Sequence, residues 1–180
     1  TLGGVYGGAA MGTVPTKNYT TNIYPVHTNL EEWAPQSIRD TFQHRGHQCS
    51  SCGMKGHCHM MVVPKGTVGE GTLIDEPEYE GLSGCGPQLG IMDPVKVSWL
   101  NTQVDKAGVD VNEFGWVIGW VMECYEKGYF TKEQLGGVEA TWGNAEAADQ
   151  LLQMISHRQG FGDILAEGVR DAAKHIGGEA

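Results

Sequence analysis

Three cysteines fall within ten residues of one another in the run Cys49-Ser-Ser-Cys52-Gly-Met-Lys-Gly-His57-Cys58-His59. A Cys-x2-Cys pair turns both thiolates toward a common centre, so it can chelate one metal ion or two irons of a cluster. Three readings are open from these residues alone. Reduced cysteines can simply pack. Cys49-x2-Cys52-Gly-x2-Gly56-His57 has the first three ligands and the glycines of a zinc knuckle, but where the fourth Cys belongs the chain has Met60, Met61 and Val62. An iron–sulfur cluster held by Cys49, Cys52 and Cys58 needs a fourth thiolate from elsewhere. Cys85 and Cys124 are available by composition, and Cys124 falls inside a strongly periodic helix where core packing is the expected role.

Two further segments carry chemistry-bearing side chains. Asp75, Glu76, Glu78 and Glu80 form an acidic run whose plain reading is a solvated loop. Asp105-Lys-Ala-Gly108-Val109 reads locally as a helix end with Gly108 as a left-handed cap.

The elements that must position these groups are uneven in clarity. Residues 1–43 read as entry loops, with a short strand at most, followed by a short helix. That helix starts at Pro35 and uses Ile38 and Phe42. Residues 44–92 form the cluster and acidic-loop region, in which His59–Val63 and Thr72–Ile74 could make a small hairpin across a Gly-rich turn. Residues 93–178 are helical. Asp93-Pro94 is an N-cap and first-turn pair, followed by Val97, Leu100, Val104 and Ala107. The next helix carries Phe114, Val117, Ile118, Val121, Met122 and Tyr125, with Asn112 as its expected cap and Gly128 as its stop. Trp116 and Trp120 on its other face suggest burial nearly all round. Two more helices use Ala148, Leu151, Leu152 and Ile155, then Ile164, Leu165, Val169, Ala172, Ala173 and Ile176. The expected class is mainly α: a helical domain with a loop-rich, cysteine-bearing N-terminal half and a small hairpin.

Composition narrows the function classes. The 180 residues carry 12 Lys+Arg against 22 Asp+Glu, a net charge of −10, and the basic residues form no run, which argues against a nucleic-acid partner. No stretch approaches the roughly 18 apolar residues of a membrane span. An odd five cysteines, three of them clustered, fit metal ligation in a reducing compartment better than a disulfide framework, so a cytoplasmic location is expected.

Five stretches in order, Pro15-Thr16-Lys17-Asn18, the cysteine cluster, Pro77-Glu78-Tyr79-Glu80, Asp105-x2-Gly108-Val109-Asp110 and Gly160-Phe-Gly-Asp163-Ile-Leu165-Ala-Glu167-Gly168-Val169, resemble the tungsten-dependent aldehyde:ferredoxin oxidoreductase family over nearly the whole chain. The resemblance implies a tungsten (rarely molybdenum) atom on a bis-pyranopterin, beside a [4Fe-4S] cluster that passes electrons to ferredoxin or a partner subunit. It further implies oxidation of aldehydes to acids, with one branch serving as a benzoyl-CoA reductase subunit that acts on a thioester. By that resemblance Cys49, Cys52 and Cys58 match three cluster ligands, Glu80 matches a carboxylate near the tungsten, and Asp105 with the backbone of Gly108 and Val109 matches a pterin-binding motif. The family has three residues between its second and third Cys; here there are five, Gly53 to His57, which makes His57 a rival third ligand. Where some members carry a metal-binding Glu six positions before the motif's Asp, this chain has Trp99. The family's second Asp-x-x-Gly motif, fourth Cys and catalytic His do not occur in these 180 residues. The expectation is therefore a central domain of a longer enzyme, inactive alone, with the missing domains as partners; a non-catalytic zinc-binding module is the rival.

Overall fold

The computed structural model describes residues 3–25, 29–47, 50–51, 53–54 and 58–177. Cys49, Cys52 and His57 lie outside the described residues. The described chain is mainly helical, with eight α-helices and one small antiparallel sheet.

Helix α4 (Pro94–Ala107) shows most directly how sequence sets structure. Asp93 Oδ1 accepts from Val95 N at 2.9 Å and Lys96 N at 3.3 Å, and Pro94 occupies the first turn, where no N–H is needed. Gly108 closes the helix at φ 69°, in the left-handed region. Val97, Leu100 and Val104 form its buried stripe. Helix α5 (Val111–Glu126) is capped by Asp110, whose Oδ1 accepts from Glu113 N at 2.9 Å, and not by Asn112. Both residues are good caps; Asp110 wins because Val111 and Asn112 are already helical. Nor is α5 buried all round. Trp120 is buried, but Trp116 is 44% exposed.

The amino-terminal half holds more regular structure than its composition suggests. Helix α1 (Gly3–Met11) stands where a loop or short strand is expected, and among the described residues the pairing there is an isolated bridge between Thr16 and Thr21. Four glycines lower its intrinsic helicity. Two of them also allow close packing, since a Cβ on Gly4 would overlap the Tyr79 ring and one on Gly8 would press on Val14. Tertiary contact thus overrides propensity. Helix α2 (Pro35–Thr41) starts at Pro35 as its spacing predicts.

The expected hairpin exists as β2 (Cys58–Val62) and β3 (Leu73–Asp75), in register Met60↔Asp75, Met61↔Ile74 and Val62↔Leu73. It is one strand larger than expected, because β1 (Gln43–His47) adds antiparallel to β2. All five β1 residues are exposed and none has a hydrophobic side chain, so no alternation announces the strand. The acidic segment is likewise not a loop throughout: α3 (Tyr79–Gly84) takes up Tyr79 and Glu80.

Helix α3 packs on both α4 and α5, and α4 packs on α6 (Ala145–Ser156). The last expected helix is two. Helices α7 (Phe161–Leu165) and α8 (Val169–Ile176) are separated at Gly168, φ 80°. Leu165 and Val169 keep helical spacing across the break, which hides it from periodicity.

Candidate functional site

Cys58 opens β2 and Asp105 ends α4, and both line one cavity of about 250 Å³ with Asp75, Glu78, Gly81 and Asn101. The sheet delivers Cys58: the β2–β3 ladder continues past Asp75 through Glu76 N to His59 O at 2.8 Å. Helix α3 forms a wall, and its Gly81 is constrained by α4, since a Cβ there would overlap the Asn101 amide. Asn101 can therefore lie against the α3 backbone and donate from Nδ2 to Asp105 Oδ2 at 3.0 Å.

Among the described residues that hydrogen bond is the one made to the Asp105 carboxylate, and it engages one oxygen. Partial burial raises the Asp105 pKa, the nearby Asp75 charge raises it further, and Asn101 opposes both. Asp105 sits on the rim with much of its surface exposed. The arrangement is a carboxylate of fixed orientation facing a cavity, able to accept N–H donors from a ligand ring. A pterin edge presents such donors, so Asp105 fits that group. Gly108 and Val109 fit it less directly. Their N–H groups already bond Asp105 O at 3.1 Å and Val104 O at 3.3 Å in the helix cap, which leaves their carbonyls.

The same cavity is lined by a carboxylate, Glu76, that does not belong to a solvated acidic run as the sequence suggests. Glu76 is buried, with its side chain 3% exposed. Arg39 from α2 donates to it twice, Nε to Oε1 at 2.6 Å and Nη2 to Oε2 at 3.0 Å, and His59 Nδ1 stands 3.4 Å from Oε2. A buried carboxylate requires such a partner, and the two-pronged guanidinium supplies it. No sequence signal singles out Glu76 among its acidic neighbours or links it to Arg39.

Glu80 faces elsewhere. It is exposed on the first turn of α3 and lines a separate cavity of about 100 Å³ with Tyr19, Tyr79, Ser83, Asn112 and Trp116. Glu78, two residues earlier, lines the larger cavity. The structure thus brings Cys58 and Asp105 together and puts Glu80 on the other side of α3.

The other two described thiols are in the core. Cys85 is fully buried, and burial together with Asp105 pushes its pKa far up. Cys124 on α5 is pushed up to about 11 by burial and by Glu123, with Lys127 opposing. Both therefore stay protonated at neutral pH, which disfavours ligation. Among the described residues no three His, Cys, Asp or Glu side chains converge as a metal site. No helix among them is long and apolar enough to cross a membrane.

Comparison with known proteins gives the class. The family model described as "Aldehyde ferredoxin oxidoreductase, domains 2 & 3" matches residues 1–180. The chain belongs to the aldehyde ferredoxin oxidoreductase family. A tungsten-containing aldehyde ferredoxin oxidoreductase of Pyrococcus furiosus is 34% identical over 167 residues, which cover 92% of this chain and 26% of that protein. An aliphatic sulfonate oxidoreductase, WOR-like subunit, of the same organism is 40% identical over 107 residues, covering 59% of this chain and 17% of its own. Among solved structures, the active site complex BamBC of benzoyl coenzyme A reductase, in complex with 1,5 dienoyl-CoA, superposes with a TM-score of 0.70 at 21% identity. That match covers 91% of this chain and 23% of that one, and shows a shared fold. The chain spans about a quarter of the length of the tungsten-containing relative.

Proposed function

We propose that this chain forms the cluster-bearing, pterin-facing part of a cytoplasmic tungsten oxidoreductase that oxidises aldehydes to carboxylic acids and passes the electrons to ferredoxin or a partner subunit. The observation that supports this reading is the shared cavity of Cys58 and Asp105, residues from two separate motifs on different elements.

In this reading Cys49, Cys52 and Cys58 hold the [4Fe-4S] cluster, with residues 44–92 as the cluster and acidic region and 93–178 as the helical frame. When bound, the tungsten (or molybdenum) bis-pyranopterin supplies the two-electron redox centre and the cluster the one-electron exit. Asp105 orients the pterin through the oxygen that Asn101 leaves unengaged. Glu80, exposed on α3 beside Tyr79, holds or moves a proton at its carboxylate during aldehyde oxidation. The Arg39–Glu76 pair fixes α2 against the strand that carries Cys58. The missing domains complete the site, so the 180 residues alone turn over no aldehyde.

The test is a dye-reduction assay with aldehydes as donors, run on anaerobically purified, cofactor-loaded enzyme containing this chain. Aldehyde-dependent reduction supports the reading. Reduction with thioester substrates alone favours the benzoyl-CoA reductase-like branch. Stoichiometric zinc with no iron or sulfide favours the non-catalytic zinc module.

A further inference from the structure

The smaller cavity has a wall that the proposed chemistry leaves without a task. Lys17, Asn18 and Tyr19 have φ of 47°, 51° and 60°, three consecutive side-chain-bearing residues in the left-handed region. Each is a disfavoured backbone conformation for a residue with a Cβ, so the turn persists only if its surroundings enforce it. They do. Lys17 N and Asn18 N donate to Pro87 O and Gln88 O, each at 2.9 Å. The Asn18 side chain is held at both ends: Nδ2 donates to Glu123 Oε2 at 2.6 Å, and Oδ1 accepts from Gln88 Nε2 at 3.1 Å. Glu123 is itself held by Lys127 Nζ at 2.6 Å.

What this turn achieves is the position of one ring. Tyr19 lies against Trp116 of α5 with centroids 5.5 Å apart and planes within 16°, although the two residues are 56% and 44% exposed. The strain is carried by the backbone and Asn18 hydrogen bonds, and the turn they fix sets both rings on the wall of the cavity. Tyr79 adds a third ring to the cavity, Ser83 and Asn112 supply polar groups able to meet a carbonyl, and Glu80 stands at the same wall. The floor is deep because α3 and α5 nearly touch there: a Cβ on Gly115 would lie 3.0 Å from Gly84 Cα. About 100 Å³ suits a single small ring.

We infer that Tyr19 and Trp116 form a substrate subsite beside Glu80 that selects planar aromatic or conjugated aldehydes over short aliphatic ones, with Asn18 as the positioning residue that aims Tyr19. The inference rests on the reading of Glu80 as a group that serves aldehyde oxidation. Ring faces and edges attract a flat guest beyond the area it buries, whereas a short alkyl chain gains little from them. The discrimination belongs to binding, so it shows in KM with kcat nearly constant.

The experiment compares benzaldehyde with propionaldehyde on the cofactor-loaded enzyme for wild type, Tyr19→Ala, Tyr19→Phe, Asn18→Ala and Glu80→Gln. Tyr19 is on the surface, so its replacement leaves the fold intact, which circular dichroism verifies. In Tyr19→Ala the KM for benzaldehyde rises about tenfold relative to that for propionaldehyde. Asn18→Ala moves the ratio the same way, and Tyr19→Phe restores it. Saturable binding of benzamide, a planar carbonyl compound, weakens in Tyr19→Ala by the same factor in ligand-detected NMR. An unchanged ratio, or equal losses for both aldehydes, overturns the subsite while impaired Glu80→Gln leaves the underlying reading standing. Full activity in Glu80→Gln overturns that reading, and the subsite with it.

Discussion

Asn101 donates to Asp105 at 3.0 Å, one turn apart on α4, and so decides which carboxylate oxygen faces the cavity. The environment raises the Asp105 pKa above its unfolded value, by desolvation first and by Asp75 second. The folded protein therefore holds this proton more tightly than the unfolded chain. The resulting stabilisation is complete below about pH 4, the unfolded carboxyl value, and is lost as pH rises through the raised folded value. Asp105→Asn should flatten that part of the pH–stability curve in the cofactor-free protein, as measured by urea unfolding midpoints across the acid range. The same slope in variant and wild type would show that Asp105 is not desolvated.

Gly81 predicts a packing effect. Alanine there would run into the Asn101 amide, which must move and release Asp105. Overpacking of this kind costs roughly 1–3 kcal/mol. In a domain of this size each kcal/mol lowers Tm by about 2–4 °C. Gly81→Ala should show that loss in a thermal scan, and Asn101→Ala in the same background should recover part of it.

The Arg39–Glu76 pair predicts non-additivity. Removing one partner leaves a charge in a site where the carboxylate side chain is 3% exposed, and costs about 3 kcal/mol. Arg39→Met and Glu76→Gln should each destabilise, and the double variant should lose less than the sum. Additive losses in denaturant unfolding would mean that the two groups are independent.

Much of this architecture is legible in sequence, and the exceptions have physical causes. Helix α4 is read from its Asp93-Pro94 cap to its Gly108 stop because local chemistry and burial agree there. Helix α1 is illegible because Gly4 serves contact with Tyr79, and Gly8 contact with Val14, rather than helix propensity. Strand β1 is illegible because an exposed edge of Gln, His, Arg and Gly needs no apolar alternation. In the site, Asp105 is found through its motif. Glu76 is hidden, because burial of one carboxylate among four depends on an Arg from a distant helix.

Glu80 predicts a catalytic effect without a structural one. Loss of a carboxylate used in proton transfer lowers rate by about 10²–10⁴-fold. Glu80→Gln should show this in dye reduction while tungsten and iron contents stay near wild type. Full turnover would return Glu80 to the solvated surface on which it lies, and Glu78, facing the larger cavity, becomes the next carboxylate to replace.

The central claim is that the Cys58–Asp105 cavity lies where an iron–sulfur cluster meets the pterin. Its most direct test is iron and acid-labile sulfide analysis of anaerobically purified enzyme, in wild type, Cys58→Ala and Cys124→Ala. The account predicts iron and sulfide in equal amounts in wild type and Cys124→Ala, and loss of both in Cys58→Ala. Full iron and sulfide in Cys58→Ala, or zinc in place of both in wild type, would contradict it.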